Sequence, residues 1–413
     1  MNFLYNIGIL TYWFLVRVAS LKNPKAKRFI KGRKHLLRNL KKDFEGVKNV
    51  VWVHCASLGE FEQGRPLIDS IKENYPDKKI LLTFYSPSGY DVRKNYPKAD
   101  YVYYLPIDTP RNARRFIKYV KPETAFFIKY EYWINLLRNL KKNNIPVYFV
   151  SSIFRRKQLF FKKYGKWYRK ALNLATHFFV QNSISGKLLK SIGINNYTVT
   201  GDTRFDRVAK IAQNAKPLPV VEKFCNNHPV IIAGSSWKAE EALILQYLRN
   251  NNNIKVILAP HEVKEENINR IMQQFGDKAI LHSKAGNQDI SQKQVLVIDG
   301  YGLLTSLYQY GTIAVIGGGF GVGIHNTLEA ATFGMPIIFG HNYRKFKEAS
   351  DLVRINCAFP VNNIEEFNTT LNHLLKNPDL TNDISQKTAG YVVENIGATQ
   401  KIINHVYQQE TVH

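Results

Sequence analysis

Short runs of β-branched and aromatic residues recur along this chain, each followed by turn residues and then by an amphipathic stretch. In the first half the runs fall at 50–53, 79–85, 101–105, 124–128, 147–150, 177–180 and 197–200. They are continuously apolar instead of alternating, as strands buried on both faces of a parallel sheet are. Strand–helix units joined by short connections predict a doubly wound sheet with right-handed crossovers. The pattern lapses between 205 and 229, where Ala215-Lys216-Pro217-Leu218-Pro219 reads as a linker. It resumes at 230–233, 254–258, 295–298, 313–316 and 336–339. Two α/β halves of similar length predict paired Rossmann-like domains facing a central cleft, a favoured place for a ligand. The expected division is a hydrophobic helix with its basic flank over 1–42, a first domain over 43–210 and a linker over 211–228. A second domain follows over 229–382, and a helical tail over 383–413 is expected to pack back on the first domain.

The segment 2–20 is apolar, carries the interfacial residues Tyr5, Tyr12 and Trp13, and has no basic residue before it. That argues against a secretory signal and for a membrane anchor that spans the bilayer or lies in its interface. From Arg17 to Lys42 lysine and arginine recur, and the first acidic residue is Asp43. A flank of this kind is drawn to anionic lipid and stays on the cytoplasmic side.

Charge widens this picture. The chain has 58 Lys and Arg against 32 Asp and Glu, a formal charge of +26 over 413 residues. Acidic partners follow: nucleic acid, an anionic membrane or phosphorylated substrates. The stretch 154–170, FRRKQLFFKKYGKWYRK, fits RNA through stacking and phosphate contact, or a lipid interface through aromatic rings and snorkelling lysines. No nucleic-acid signature accompanies it, so a membrane is the expected partner and nucleic acid is not. Cys55, Cys225 and Cys357 are widely separated and form no metal or redox spacing, as in a reducing compartment. No cofactor or metal site is expected, and no G-x-S-x-G or His-Asp-Ser ordering points to a hydrolase.

Two stretches carry candidate chemistry. The first run ends in His54-Cys55-Ala56-Ser57-Leu58-Gly59-Glu60, which places a carboxylate where a first strand gives way to a first helix. In open α/β sheets ligands bind at that edge. Ser57-x-x-Glu60 equally fits a capping box. The second stretch is the glycine run 317–323, followed by His325, Asn326, Thr327, Leu328 and Glu329. Glycines let backbone approach a ligand, a helix starting near Asn326 suits a phosphate, and Glu329 suits ribose hydroxyls. Asn326-x-x-Glu329 is also a possible capping box. Ser235, Ser236 and Lys238 are further phosphate ligands or ordinary helix caps, and His261 follows a strand-ending proline. Lys129, Glu131 and Trp133 end another strand and either line the cleft or begin a helix.

Taken together, His54 to Glu60, Lys129-Tyr130-Glu131-Tyr132-Trp133, Gly201-Asp202-Thr203-Arg204-Phe205-Asp206, Ala233-Gly234-Ser235-Ser236 and the glycine run through Glu329 resemble a known family. It is the 3-deoxy-D-manno-octulosonic acid (Kdo) transferases of bacterial lipopolysaccharide synthesis. The resemblance covers nearly the whole chain. It implies a GT-B fold and transfer of Kdo from CMP-Kdo to a lipid A precursor, with inversion, without a bound metal, and at the cytoplasmic side of the inner membrane. Glu60 matches the family's catalytic base. Ser235, Ser236, Lys238, His261, Gly318, Gly319, Asn326, Thr327 and Glu329 are then expected to bind the donor. Ser57, Gly59, Arg65, Ser86, Ser88 and Glu131 are expected on the acceptor side. Where the family carries Arg-His after the strand-ending proline, this chain has His261-Glu262. The alternatives are another GT-B envelope enzyme using a UDP-sugar and a non-catalytic, membrane-associated RNA-binding protein.

Overall fold

A computed structural model describes residues 2–286, 288–321 and 323–408. The chain forms two compact units: one runs up to Arg207 and regains the segment from Ile396, and the other is Val208–Asn395.

The first unit holds a parallel seven-stranded sheet in the order β3-β2-β1-β4-β5-β6-β7. Its strands are β1 (Val50–Cys55), β2 (Lys79–Phe84), β3 (Tyr101–Tyr104), β4 (Thr124–Ile128), β5 (Val147–Ser152), β6 (His177–Val180) and β7 (Tyr197–Val199). Alternate residues feed two cores, as the pleat requires. Val50 and Trp52 join one with Leu81, Phe127, Phe149 and Phe178, while Val51 and Val53 join the other with Phe61, Phe126 and Phe179. Helices start where the sequence supplies caps: Ser57, Ser86 and Thr109 each accept a hydrogen bond from an amide in the first turn.

The helix Asn2–Ala19 docks on this unit by one face. Tyr5 donates to the buried Asp108 at 2.6 Å, Asn135 donates to Asn6, and Tyr12 stacks on Tyr85. Asp108 also accepts the amides of Asn135 and Leu136, so a helix start and the N-terminal helix share one carboxylate. The other face, with Phe3, Leu4, Ile7, Leu10, Phe14, Leu15 and Val18, is exposed. Among the described residues no helix is long and apolar enough to cross a membrane.

The second unit carries a parallel sheet ordered β10-β11-β9-β8-β12-β13-β14. Its strands are β8 (Val230–Ser236), β9 (Lys255–Pro260), β10 (Ala279–Leu281), β11 (Val295–Val297), β12 (Ile313–Ile316), β13 (Ile337–Gly340) and β14 (Ala358–Val361). The sequence pattern misses β10 and β14. Both are edge strands of three or four residues. The tail divides between the units. Helix Pro378–Asn395 belongs to the second, burying Ile384 and Val392. Helix Ala398–Tyr407 joins the first, where Ile402, Ile403 and Val406 enter its core. Asp206 caps that helix, accepting the amides of Gly397 and Thr399 at 2.5 and 2.7 Å.

Candidate active site

In each sheet the chain lays strands outward in one direction and then returns to the other side of its first strand. The reversal opens a crevice at the carboxyl ends of the two central strands. In the first unit these are β1 and β4, and in the second β8 and β12. The motifs singled out from the sequence sit at these two places.

At the first crevice β1 ends in Cys55 and helix Leu58–Asn74 begins, with Ser57 as its cap. Glu60 is only 7% exposed. Its amide meets the Ser57 hydroxyl at 3.4 Å, but its carboxylate does not return to the cap amide. Oε2 instead accepts the Ala56 amide at 2.5 Å, one residue earlier, which is half of a capping box and a different use of the glutamate. Oε1 accepts no hydrogen bond from a described residue. Burial, and then the charge of Glu131 at the end of β4, push the Glu60 carboxyl up to about 7; the Ala56 amide, Lys129 and Ser57 pull part of the way back. A carboxyl group poised near neutrality is matched to taking a proton from a hydroxyl.

The surroundings hold this group in place. Lys129 turns the chain after β4 with φ of +64°. Its carbonyl accepts the Ser152 hydroxyl at 2.7 Å. His54, fully buried on β1, bonds Thr83 through Nδ1 at 2.9 Å and brings Nε2 to 3.9 Å from Glu131. Further along the helix Gln63 donates to Asp202 at 3.0 Å, and its carbonyl accepts the Thr203 hydroxyl at 2.6 Å. Burial opposes ionisation of Asp202, but the Arg204 guanidinium and amide outweigh it and hold the carboxyl below its usual value. The Gly201-Asp202-Thr203-Arg204 motif therefore clamps the Glu60 helix from behind.

Ser86 and Ser88 bond one another, and the Ser86 amide reaches the Ala56 carbonyl at 2.8 Å, which sets this loop beside Glu60. Gly59 is exposed at the helix start. Arg65 does not join them: one turn on, it pairs with Asp69 and lies over Tyr96. An aromatic floor of Tyr85 and Trp133, with centroids 4.6 Å apart, runs back to Tyr12 and Phe29.

In the second unit β8 and β12 frame a cavity of about 490 Å³, whose lining includes Ser236, Trp237, Lys238, His261, Arg270 and Gly318. Ser235 takes the bulge position on β8 with φ of +53°. It is not a cap: helix Lys238–Leu248 begins after Trp237. Ser236 is buried and donates its hydroxyl to Glu241 at 3.3 Å.

The glycine run likewise serves the protein's own backbone. A Cβ on Gly317 would sit 1.9 Å from the Ser235 carbonyl oxygen, and one on Gly319 would sit 2.4 Å from the Gly340 amide. The Gly318 amide is taken by Glu240 at 2.9 Å, whose other oxygen accepts the Trp237 amide at 3.0 Å. The helix expected to start near Asn326 is the single turn Leu328–Ala331. Asn326 and Glu329 do not form a capping box; Asn326 donates to Glu329 at 3.0 Å, and Glu329 also accepts the Thr305 hydroxyl at 3.1 Å. Thr327 is fully buried. Ser236, Lys238, His261 and Gly318 thus line the cavity, whereas Ser235, Gly319, Asn326, Thr327 and Glu329 are not among its lining residues.

The sequence reading gave no role to His54, Trp237, Glu240 or His325, although His54 and His325 stand inside the motifs it singled out.

Among solved structures the chain resembles UDP-GlcNAc 2-epimerase from Neisseria meningitidis, with TM-score 0.60 and 15% identity over 87% of this chain and all of that one. MurG from Acinetobacter baumannii matches with TM-score 0.55 and 12% identity over 88% of this chain and 100% of that one. These likenesses show the fold, and the class they define is GT-B, two parallel-sheet Rossmann-like domains in one chain. Residues 26–207 match the family model described as 3-deoxy-D-manno-octulosonic-acid transferase. The transferase of that name from Haemophilus influenzae is 26% identical over 372 residues, 86% of each chain. That of Aquifex aeolicus is 27% identical over 346 residues, 81% of this chain and 88% of that one. Over most of its length the chain is thus similar to Kdo transferases, and their family model matches within its first unit.

Proposed function

We propose that this protein moves Kdo from CMP-Kdo to a hydroxyl of a lipid A precursor, a phosphorylated glucosamine disaccharide lipid, with inversion at the anomeric carbon. The observation that carries the reading is Glu60: a buried carboxyl with a pKa of about 7 at the switch point of the first sheet, in a chain similar to Kdo transferases. Glu60 takes the proton of the acceptor hydroxyl as its oxygen bonds to the anomeric carbon. The bond from that carbon to the phosphate oxygen breaks, and CMP leaves with the electron pair. Glu131 raises the basicity of Glu60. The first unit takes the acceptor and the second the nucleotide, with Lys238 and His261 at its cavity.

The excess of basic residues suits an acceptor and a donor that both carry negative charge. The outward face of helix Asn2–Ala19 lies in the headgroup region of an anionic bilayer, with the basic flank behind it and both units on the cytoplasmic side. Its support is the exposed apolar face together with a segment free of acidic residues before Asp43.

Two measurements test the proposal. CMP should raise the melting temperature and UMP should not, and mass spectrometry should find the lipid acceptor heavier by Kdo after incubation with CMP-Kdo. Protection by UMP alone, or an unchanged lipid, refutes it.

A further inference from the structure

Trp237, His261 and His325 form a flat cluster where β8, β9 and β12 end. The rings of Trp237 and His325 are within 10° of parallel, and Trp237 Nε1 lies 3.0 Å from His325 Nε2. His261 stacks on both, its centroid 4.6 Å from Trp237 and 4.4 Å from His325. An indole nitrogen only donates. His325 Nε2 must therefore be bare, and a neutral imidazole then carries its one proton on Nδ1. The rest of the surroundings keep the ring in that pose. The His325 amide donates to the Gly317 carbonyl at 3.1 Å, and Gly318, with φ of +89°, leaves room where a Cβ would press to 3.2 Å from His325 Cδ2. Nδ1 has no hydrogen-bond partner among the described residues.

We infer that Trp237 is a positioning residue that locks His325 as its Nδ1–H tautomer, making that N–H a fixed donor for an anionic oxygen of the bound nucleotide. This rests on reading the second unit as the nucleotide site. Burial, and then His261, lower the His325 pKa to about 4, so the ring is neutral across the physiological range. A protonated ring would turn an N–H toward the indole N–H and break the pair. The neutral donor thus holds its direction whatever the pH between about 5 and 8, which a surface histidine does not.

The test uses the full chain labelled with ¹⁵N-histidine, the His325 signals being identified by their loss in His325→Phe. In the native protein long-range ¹H–¹⁵N spectra should show His325 protonated at Nδ1 and not titrating from pH 5.5 to 8. In Trp237→Phe, which keeps a ring for His261 to stack on but has no N–H to donate, the Nε2–H form should appear. CMP should bind about tenfold more weakly to Trp237→Phe and to His325→Phe, the size expected for one hydrogen bond to a charged oxygen. The double variant should bind no worse than either single one, because Trp237 acts through His325. An Nε2–H His325 in the native protein, or losses in CMP affinity that add, overturns the inference. Should UMP bind in place of CMP, the donor reading falls, and the same spectra and cycle read with UMP decide the role of Trp237.

Discussion

Glu60→Gln separates a helix-capping residue from a base by how stability depends on pH. The Glu60 carboxyl ionises near 7 in the folded protein and at an ordinary 4.5 when unfolded. Between those values the unfolded chain has lost the proton that the folded chain keeps, so stability falls as pH rises from about 4.5 and levels off above about 7. The difference of 2.5 pKa units corresponds to roughly 3 kcal/mol at 1.36 kcal/mol per unit. Glutamine removes this dependence while its amide oxygen still accepts the Ala56 N–H. The variant should therefore match the native protein near pH 4.5 and exceed it by about 3 kcal/mol at pH 8. In a unit of this size that is roughly 6–12 °C in melting temperature. Transfer of Kdo should fall by roughly 10²–10⁴-fold over the same range. The assay is paired melting and rate measurements at half-unit steps from pH 4.5 to 8. Parallel melting curves for the two proteins would refute the buried, near-neutral carboxyl, and near-native transfer by the variant would refute its role as base.

Glu131→Gln removes the charge that comes second to burial in raising Glu60, so the acid limb of the rate profile should move to lower pH; an unmoved limb would mean the two carboxylates do not couple. Glu240→Ala leaves the buried Gly318 amide and the Trp237 amide without their acceptor and should destabilise the second unit by about 2–4 kcal/mol. Glu240→Gln keeps one acceptor oxygen and should cost about half as much in a urea titration. Leu4→Glu with Phe14→Glu, both on the outward face of the first helix, should leave the melting temperature within about a degree and sharply reduce sedimentation with anionic vesicles. These are cleaner than deleting the helix, which would also strip Tyr5 from the buried Asp108. Undiminished sedimentation would sink the interfacial reading.

The sequence by itself determined the parts of this protein that local patterning controls. Short continuous apolar runs bounded by turn residues, such as Val50 to Val53, fit buried strands, and their alternation with helices points to a doubly wound parallel sheet. Position along the chain also put Glu60 at the carboxyl edge of a first strand, because the end of an apolar run is legible without knowing what lies beside it. What a side chain does once there depends on neighbours distant in sequence, and only the tertiary structure decided that. Ser57-x-x-Glu60 reads as a capping box until the carboxylate is seen on Ala56 with the Glu131 charge beside it, 71 positions downstream. The glycine run reads as a phosphate cradle, and only the structure shows Gly317 and Gly319 pressed against β8 and β13 and its helix one turn long. Edge strands β10 and β14 escaped because pairing to a neighbour, and not their own few residues, makes them strands. The Trp237–His325 pair spans 88 residues, and no spacing rule reaches that far: a hydrogen bond between two rings is set by how β8 and β12 lie together in the sheet.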